Sequence, residues 1–283
     1  MSWQILASLS VLLYSSNNLL HRVLMKDDDS DPYTQTIAFY GIVGIFALII
    51  SIFRGGFQYK ISSEQTPYFI LIAIFAALTS ILGFKALQSI ESSENSILIS
   101  SSKLWVVLGA FTILHEEFSI IKFIGAVIVF VGIAIAQYQN HKFIFNNGVM
   151  FALLASISYA ITEITSFFIL RNFDANSFAV YTNWLPIIVI LIINPKSFSR
   201  LSFYLRQKNA IYISIVSLSD LLATLFLFNA YQVGRNASQI APIMATQTII
   251  SVLLAIVILK ERNNISKKII GGLLVVVGVI LIL

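Results

Sequence analysis

The segment from Lys85 to Gly132 occurs twice in this chain, and the repeat constrains the fold more than any other feature of the sequence. The second copy lies 144 residues further on, as the step from Ala86 to Ala230 shows. The same alignment pairs Ser93 with Ala237, Lys103 with Gln247, Glu117 with Glu261, Gly125 with Gly271 and Gly132 with Gly278, the last two pairs after a loop that is two residues longer. Self-similarity at half the length of a chain indicates two structural units of the same kind. We therefore expect each half of the chain to fold in the same way.

The composition places these two units in a membrane. Apolar residues make up 58% of the 283 and charged residues only 11%, whereas a soluble domain is about half apolar and a quarter charged. A helix needs about 20 apolar residues to cross the hydrocarbon core of a bilayer. Ten such runs occur: 3–24, 33–53, 67–89, 93–114, 119–138, 147–170, 175–193, 209–231, 236–259 and 265–283. Since the alternation expected of membrane strands is absent, the sequence predicts an all-α membrane protein with ten transmembrane helices.

The ten predicted helices divide into two halves of five, residues 1–140 and 147–283. The segment between them is too short to form a domain. Because an odd number of helices reverses the direction of the chain across the membrane, we predict inverted halves that superpose after a rotation of about 180° around an axis in the membrane plane. Gly125 and Gly132 should let two helices approach closely, either within the chain or between two copies of it.

Charge and cysteine content exclude several classes of protein. The net charge of +5 comes from basic residues scattered over short loops, so it does not indicate nucleic-acid binding. The chain has no cysteine, which excludes disulfides and thiolate chemistry. The acidic loop from Asp27 to Asp31 is typical of a solvated turn, and we predict neither a metal site nor a cofactor. The first apolar run lacks the basic start of a signal peptide, so we expect it to be retained as a helix.

A polar face on the first helix of each half is a further repeated feature. Tyr14, Asn18 and His21 are spaced i, i+4 and i+7, which places them on one side of that helix. At an offset of 145 residues their counterparts are Tyr159, Glu163 and Ser166. On the second helix, Tyr40 likewise has Trp184 as its counterpart. The same polar face therefore occurs in both halves, and in the second half it holds a carboxylate.

Three ionisable residues, Lys103, Glu163 and Asp220, lie near the middle of predicted helices. An ionised side chain at this depth costs about 2.5–3.5 kcal/mol even on lenient insertion scales, so each needs a partner or water. One interpretation is a buried ion pair that locks the fourth and sixth helices together. The other is a watery substrate cavity, which satisfies all three charges at once. Lys85 lies near a helix end, where it either reaches the interface or joins the cavity.

We predict a substrate-binding cavity built from these charges and from the repeated polar positions. The candidate residues are Lys103, Glu163, Asp220, Asn18, Tyr14, Tyr159, Gln247, Lys85, Trp184 and Tyr40. Glu163 is the strongest candidate for binding a substrate amine or coupling to protons, because it is the only acid on the repeated polar face. Ser100 and Lys103 have the spacing of a serine–lysine dyad, but this weak pattern in a serine-rich helix does not predict a catalytic site.

Two short segments resemble a known transporter repeat. The sequences Leu114-His115-Glu116-Glu117 and Leu259-Lys260-Glu261-Arg262 each precede a last helix that contains glycine. In this they resemble the EamA repeat of the drug/metabolite transporter superfamily. The resemblance implies ten helices in two inverted five-helix halves, and alternating-access transport of a small metabolite through a central cavity.

The chain departs from the family pattern in three respects. Leu104 and Thr248 stand near the place of a proline in the fourth helix of each repeat, and Phe39 or Tyr40 replaces an early arginine of the second helix. The substrate of any one relative is therefore no guide. The basic residues, including Lys260 and Lys268 at the predicted water boundary, are concentrated on the side opposite the termini, so the positive-inside rule places both termini outside. The resemblance implies termini inside.

These features predict secondary active transport of a small polar metabolite, amino-acid-like and either zwitterionic or charged. The sequence has no P-loop for ATP, so coupling would be to protons or to an exchanged solute, or would be absent. The expected partners are that small molecule and the lipid bilayer, and the expected location is the bacterial inner membrane, crossed several times. The alternatives are a lipid-head-group flippase or another membrane-embedded binding protein, a membrane enzyme, and a structural subunit, which three charges at mid-membrane depth disfavour.

Overall fold

The structure, a computed structural model, describes residues 2–26, 30–106, 120–139, 142–143, 145–170, 172–234, 240 and 243–282. The helices are α1 (Trp3–Met25), α2 (Pro32–Phe53), α3 (Thr66–Ser89), α4 (Ser92–Ile99), α5 (Ile120–Gln137), α6 (Asn147–Leu170), α7 (Ala175–Ile193), α8 (Gln207–Gly234), α9 (Gln247–Ile258) and α10 (Ile265–Ile282). A 3-10 helix (Pro195–Leu201) and a single helical turn (Ser202–Leu205) join α7 to α8. Two-residue strands, β1 (Tyr138–Gln139) and β2 (Lys142–Phe143), pair antiparallel between the halves. Apart from this small ladder the described chain is helical, as predicted.

Seven of the described helices are long and apolar enough to cross a membrane: α2, α3, α5, α6, α7, α8 and α10. The predicted count of ten spans is therefore not confirmed. The first helix, α1, has 23 residues, but its polar ladder makes it less apolar than the other long helices, and α4 and α9 are short. Residues 107–114 of the predicted run 93–114, and residues 236–239 and 241–242 of the predicted run 236–259, lie outside the described part of the chain.

The fourth helix of each half is interrupted, although its apolar run predicted a continuous helix. A turn at Ser100 and Ser101 follows α4. The Ser101 hydroxyl donates to the carbonyl oxygen of Leu98 at 2.6 Å, and such local side-chain bonds compete with helix continuation. In the second half a turn at Thr246 precedes α9, and its hydroxyl donates to the carbonyl oxygen of Ile243 at 2.6 Å. At the offset of 144 residues Thr246 corresponds to Ser102, so the two breaks lie at adjacent positions of the repeat.

The last helices of the two halves, α5 and α10, pack backbone against backbone through glycines. Gly125 lies against Gly278 and Gly132 lies against Gly271, so α5 and α10 run in opposite directions. Small residues permit this close approach, and here the approach occurs within the chain. The other large interhelical contacts join α1 to α8, α3 to α6 and α2 to α7. In the repeat α1 is equivalent to α6 and α3 to α8, so the contact of α1 with α8 is equivalent to that of α6 with α3. The contacts of α2 with α7 and of α5 with α10 each join two equivalent helices.

Aspartates begin the second helix of each half in the same way. The Asp31 carboxylate accepts a hydrogen bond from the backbone N–H of Thr34 at 2.9 Å, and the Asp174 carboxylate accepts one from Ser177 at 2.7 Å. A carboxylate in this position satisfies a free amide of the helix terminus and interacts favourably with the helix dipole. The repeat thus extends to helix capping, and Asp31 acts here as a cap at the end of the acidic loop.

Large apolar side chains cover the outer faces of the helices. Phe53 is 86% exposed and Ile192 is 76% exposed. Apolar exposure on this scale is unusual for a soluble monomer and is expected of a surface that contacts lipid. Polar side chains such as Ser15, Gln35 and Ser217 are buried instead. The polar side chains therefore lie between the helices, and the apolar side chains cover the outer surface.

Candidate functional site

A cavity of about 390 Å³ is lined by residues of both halves. Eight of the ten predicted site residues line it: Tyr14, Asn18, Tyr40, Lys103, Tyr159, Glu163, Asp220 and Gln247. They come from α1, α2, α6, α8 and α9 and from the helical turn that follows the break after α4. A volume of this size suits a small metabolite. The repeat and the charge pattern therefore predicted which faces of these helices turn toward one another.

Lys103 and Glu163 form an ion pair on the wall of this cavity. The Lys103 ammonium contacts both carboxylate oxygens of Glu163. The side chains of Lys103 and Glu163 are 18% and 17% exposed, so the pair faces the cavity and is not enclosed in packed side chains. Lys103 Nζ also lies 5.5 Å from the centre of the Tyr159 ring, within the range of a cation–π interaction. The pair joins two helical segments and also lines a cavity.

Asp220 stands apart from that ion pair. Its carboxylate Oδ1 accepts a hydrogen bond from Asn17 Nδ2 at 3.1 Å. In the described part of the chain no lysine, arginine or histidine forms a salt bridge with it. One turn further along α8, Thr224 Oγ1 lies 2.6 Å from the Tyr14 hydroxyl oxygen. Asp220 is thus a carboxylate in the cavity wall whose hydrogen-bond donor is a neutral amide.

Other predicted residues complete the polar lining. Asn18 Nδ2 donates to Ser96 Oγ at 3.3 Å, which connects α1 to α4. Gln247, the counterpart of Lys103, lines the cavity from the start of α9. The Tyr40 hydroxyl oxygen accepts a hydrogen bond from Ser80 Oγ at 2.6 Å, which holds the Tyr40 ring against α3. These contacts fix the orientation of several polar side chains at the cavity wall.

Lys85 and Trp184 do not line the cavity. Lys85 Nζ lies 5.1 Å from the centre of the Tyr33 ring and 5.6 Å from that of Phe151, an arrangement that agrees with its place near a helix end. Trp184 is 38% exposed, and its indole Nε1 donates to the carbonyl oxygen of Gly41 at 3.4 Å. Trp184 therefore packs at the outer contact of α2 with α7, on a different face from its counterpart Tyr40.

His21 belongs to a buried network that the sequence indicated only in part. Its Nδ1 lies 2.9 Å from Gln35 Nε2, and Gln35 Oε1 accepts a hydrogen bond from the Tyr204 hydroxyl at 3.1 Å. The His21 ring also lies 4.7 Å, between ring centroids, from both Phe39 and Phe84. The spacing of the polar ladder placed His21 on the correct face. Its partners on α2 and in the turn before α8 could not be read from spacing.

Two stretches of the chain match one family model. The model of the EamA-like transporter family matches residues 1–138 and again residues 146–283. The chain belongs to the EamA-like transporter family. A solved structure described as "Crystal structure of protein" is similar over 99% of this chain and 95% of that one, with a TM-score of 0.60 and 14% identity, which supports the fold alone. No curated protein matches the chain.

As an EamA-like transporter, the protein is an integral, multi-pass membrane protein with a small-molecule substrate and is not an enzyme. The contacts of Ser100 agree with this assignment. Ser100 Oγ donates to the carbonyl oxygen of Ser96 at 2.7 Å and contacts the Thr248 hydroxyl. Lys103 is bound by Glu163. Because a serine nucleophile needs a free base in reach, Ser100 and Lys103 do not form a dyad.

Glu261 holds the start of α4 in this EamA-like transporter. Its carboxylate accepts hydrogen bonds from the backbone N–H groups of Ser92 at 2.7 Å and Ser93 at 2.9 Å, and from the Ser93 hydroxyl at 2.6 Å. An anion at a helix N-terminus meets free amides and the positive end of the helix dipole. Glu261 thereby connects the end of the second half to α4 in the first.

Lys268 lies beside this contact and is fully buried. Its ammonium pairs with Glu91 and lies 4.0 Å from Glu94. We name Glu91, Glu94, Glu261 and Lys268 the α4 anchor. Glu261 and Lys268 are both buried against other side chains. Glu261 lies against the start of α4, and Lys268 lies against Glu91 and Glu94. These partners are far from Glu261 and Lys268 in the sequence.

Proposed function

We propose that this EamA-like transporter is a secondary active transporter that moves a small polar metabolite, amino-acid-like and either zwitterionic or charged, by alternating access through the cavity. The Lys103–Glu163 ion pair on the cavity wall carries this proposal. Ionised groups at this depth lower stability by several kcal/mol unless they are paired or hydrated. An ion pair with only a structural role would be enclosed by packed side chains, whereas this one can be reached from a cavity of metabolite size.

The proposed architecture is two inverted five-helix halves, residues 1–140 and 147–283, with ten transmembrane helices in total. The antiparallel packing of α5 against α10 supports inversion, because a two-fold axis that exchanges antiparallel helices lies perpendicular to them. The breaks after α4 and before α9, at adjacent positions of the repeat, support the same correspondence. An axis of this kind in the membrane plane lets a carrier exchange inward-open and outward-open states by swapping the roles of its halves.

The proposed substrate contacts are the eight predicted residues that line the cavity. The proposed coupling is to protons or to an exchanged solute, with Glu163 as the acid that loads and releases a proton. Lys103 would then control the loading and release of this proton, because it contacts the Glu163 carboxylate directly. The proposed location is the bacterial inner membrane.

A reconstitution experiment tests the proposed function. A thermal-shift screen of purified protein against a metabolite library first identifies ligands, because a ligand that binds the folded state raises the melting temperature.

Exchange of a labelled hit is then measured in proteoliposomes with wild-type protein, Lys103→Met and Lys60→Met. Lys60 lies exposed in the loop after α2, so its variant removes one positive charge outside the cavity. We expect Lys103→Met to reduce exchange by about tenfold or more and Lys60→Met to leave it unchanged. Normal exchange by Lys103→Met would contradict the role of the cavity.

The same proteoliposomes separate this function from the lipid-head-group alternative. Labelled phospholipid is incorporated in the outer leaflet, and its movement to the inner leaflet is followed with and without the transporter. We expect no acceleration by wild-type protein. Lipid movement that Lys103→Met abolishes, with no metabolite exchange, would establish a flippase in place of the proposed carrier.

A further inference from the structure

We infer that Asp220, Asn17 and Asn95 form the binding site for an organic cation that carries N–H donors, such as a primary ammonium group. All three residues line the cavity, on α8, α1 and α4 respectively. The inference rests on the proposed function, and it assigns the cavity to one chemical class of substrate. It also moves the contact with the substrate amine from Glu163, which the sequence favoured, to Asp220.

Hydrogen-bond acceptors without donors are the first observation. Asn17 is 4% exposed; its Nδ2 donates to Asp220, whereas its Oδ1 is buried and accepts no hydrogen bond within the described residues. Asn95 is 2% exposed, and its Oδ1 is also buried and accepts no hydrogen bond within the described residues. A buried carbonyl oxygen without a donor is costly. A ligand that brings several N–H groups into the cavity would satisfy these oxygens.

The balance of charge on the cavity wall is the second observation. Lys103 is neutralised by Glu163, whereas the hydrogen bond that Asp220 accepts comes from an uncharged amide. The described lining contains no other lysine or arginine, and the His21 ring contacts the amide of Gln35. With His21 neutral and Asp220 ionised, the lining carries one more negative charge than positive charges. At low effective dielectric this excess attracts a cation and repels an anion.

These two observations select within the class of cations. A primary ammonium has three N–H donors for the carboxylate and the amide oxygens. A quaternary ammonium has the same charge but no N–H donor, so it would leave the Asn17 and Asn95 oxygens unsatisfied. A zwitterion that presents its ammonium group to Asp220 fits the site, whereas a simple carboxylate does not.

Three probes of matched shape test the inference: benzylammonium, benzyltrimethylammonium and benzoate. The melting temperature of purified wild-type protein in detergent is measured with each probe, beside Asp220→Asn and the control Glu64→Gln, which removes an exposed carboxylate outside the cavity. At about a hundredfold excess over its dissociation constant, benzylammonium should raise the melting temperature of wild-type and Glu64→Gln by about 4 °C or more. The other two probes should give at most half that shift, and Asp220→Asn should lose the response to benzylammonium. Asp220→Glu retains the charge and should retain the response, which keeps the test valid if Asp220→Asn fails to fold.

The outcomes separate this inference from the proposed function. Protection by benzoate, equal protection by benzyltrimethylammonium, protection by none of the probes, or an undiminished benzylammonium shift in Asp220→Asn would overturn the cation site. Metabolite exchange in proteoliposomes could then still establish the transporter. Conversely, selective protection by benzylammonium that depends on Asp220, in a protein that exchanges no solute, would uphold the site and refute the transport proposal.

Discussion

Gly125 and Gly278 face each other so closely that a Cβ atom on either one would lie 2.7 Å from the carbonyl oxygen of the other. Gly132 and Gly271 repeat this geometry at 2.7 and 2.6 Å. In the internal repeat Gly125 corresponds to Gly271 and Gly132 corresponds to Gly278. Exchanging the halves therefore converts one contact into the other, as expected of two equivalent helices that cross in opposite directions.

Replacing Gly278 with alanine should destabilise the protein, because the new methyl group has no room against α5. Overpacking of this kind costs about 1–3 kcal/mol, which should lower the melting temperature by several degrees. Gly41→Ala is the matched control, since the nearest atom to its new Cβ would lie 4.0 Å away. Thermal unfolding of the purified variants in detergent measures both effects. Equal melting temperatures for Gly278→Ala and wild type would show that α5 and α10 are not in this contact.

Lys103 and Glu163 should show strong coupling in a double-mutant cycle of stability. Lys103→Met leaves a carboxylate without its cation and should lower stability by about 3 kcal/mol. Glu163→Gln leaves the ammonium without its anion and should act in the same direction. The double variant leaves no unpaired charge, so its melting temperature should exceed that of the less stable of the two single variants. Additive losses in the double variant would mean that the two side chains do not interact.

Glu163 and Asp220 should affect transport differently. Because a glutamine side chain cannot bind and release a proton, we expect Glu163→Gln to abolish proton-driven uptake while exchange without a proton gradient continues. We expect Asp220→Asn to abolish both, since it removes the proposed contact with the substrate amine. Uptake and exchange of the same labelled substrate in proteoliposomes distinguish these results. Loss of both activities in Glu163→Gln would assign it to substrate binding, and loss of neither would leave it a structural partner of Lys103.

Glu261→Ala should destabilise the protein through the α4 anchor. The change removes three hydrogen bonds to a charged acceptor and the favourable interaction with the start of α4. Since hydrogen bonds to charged groups contribute about 1.5–3 kcal/mol each and do not add fully, we expect a loss of about 2–4 kcal/mol. Glu64→Ala, at an exposed loop position, controls for the removal of a carboxylate. If both variants melt at the wild-type temperature, Glu261 does not hold α4.

Lys85→Met and Trp184→Phe should leave transport within about twofold of the wild-type rate, because neither side chain lines the cavity. Each substitution keeps most of the side-chain volume, so protein yield and melting temperature should also be close to those of wild type. A loss of transport on the scale of Lys103→Met in either variant would mean that the functional cavity extends beyond the described lining.

The sequence alone determined the class of fold, the two-fold repetition and most of the cavity. Placing a charge in lipid is so unfavourable that hydropathy reports on membrane location directly, and helical spacing then shows which side chains share a face. Tyr14 and Asn18 were found in this way, as were Tyr159 and Glu163. These inferences succeeded because they depend on interactions within one helix or on a comparison of equivalent positions in the repeat.

Only the tertiary structure decided which of these groups interact. Asp220 accepts from Asn17, 203 residues away in the sequence, and Glu261 caps a helix 169 residues away. Hydropathy and spacing contain no information about such pairings, because they depend on how helices from different halves rotate and pack. The same packing turns Trp184 outward although its counterpart Tyr40 lines the cavity. The sequence could identify which residues need polar partners, whereas the choice of partner is a property of the packed helices.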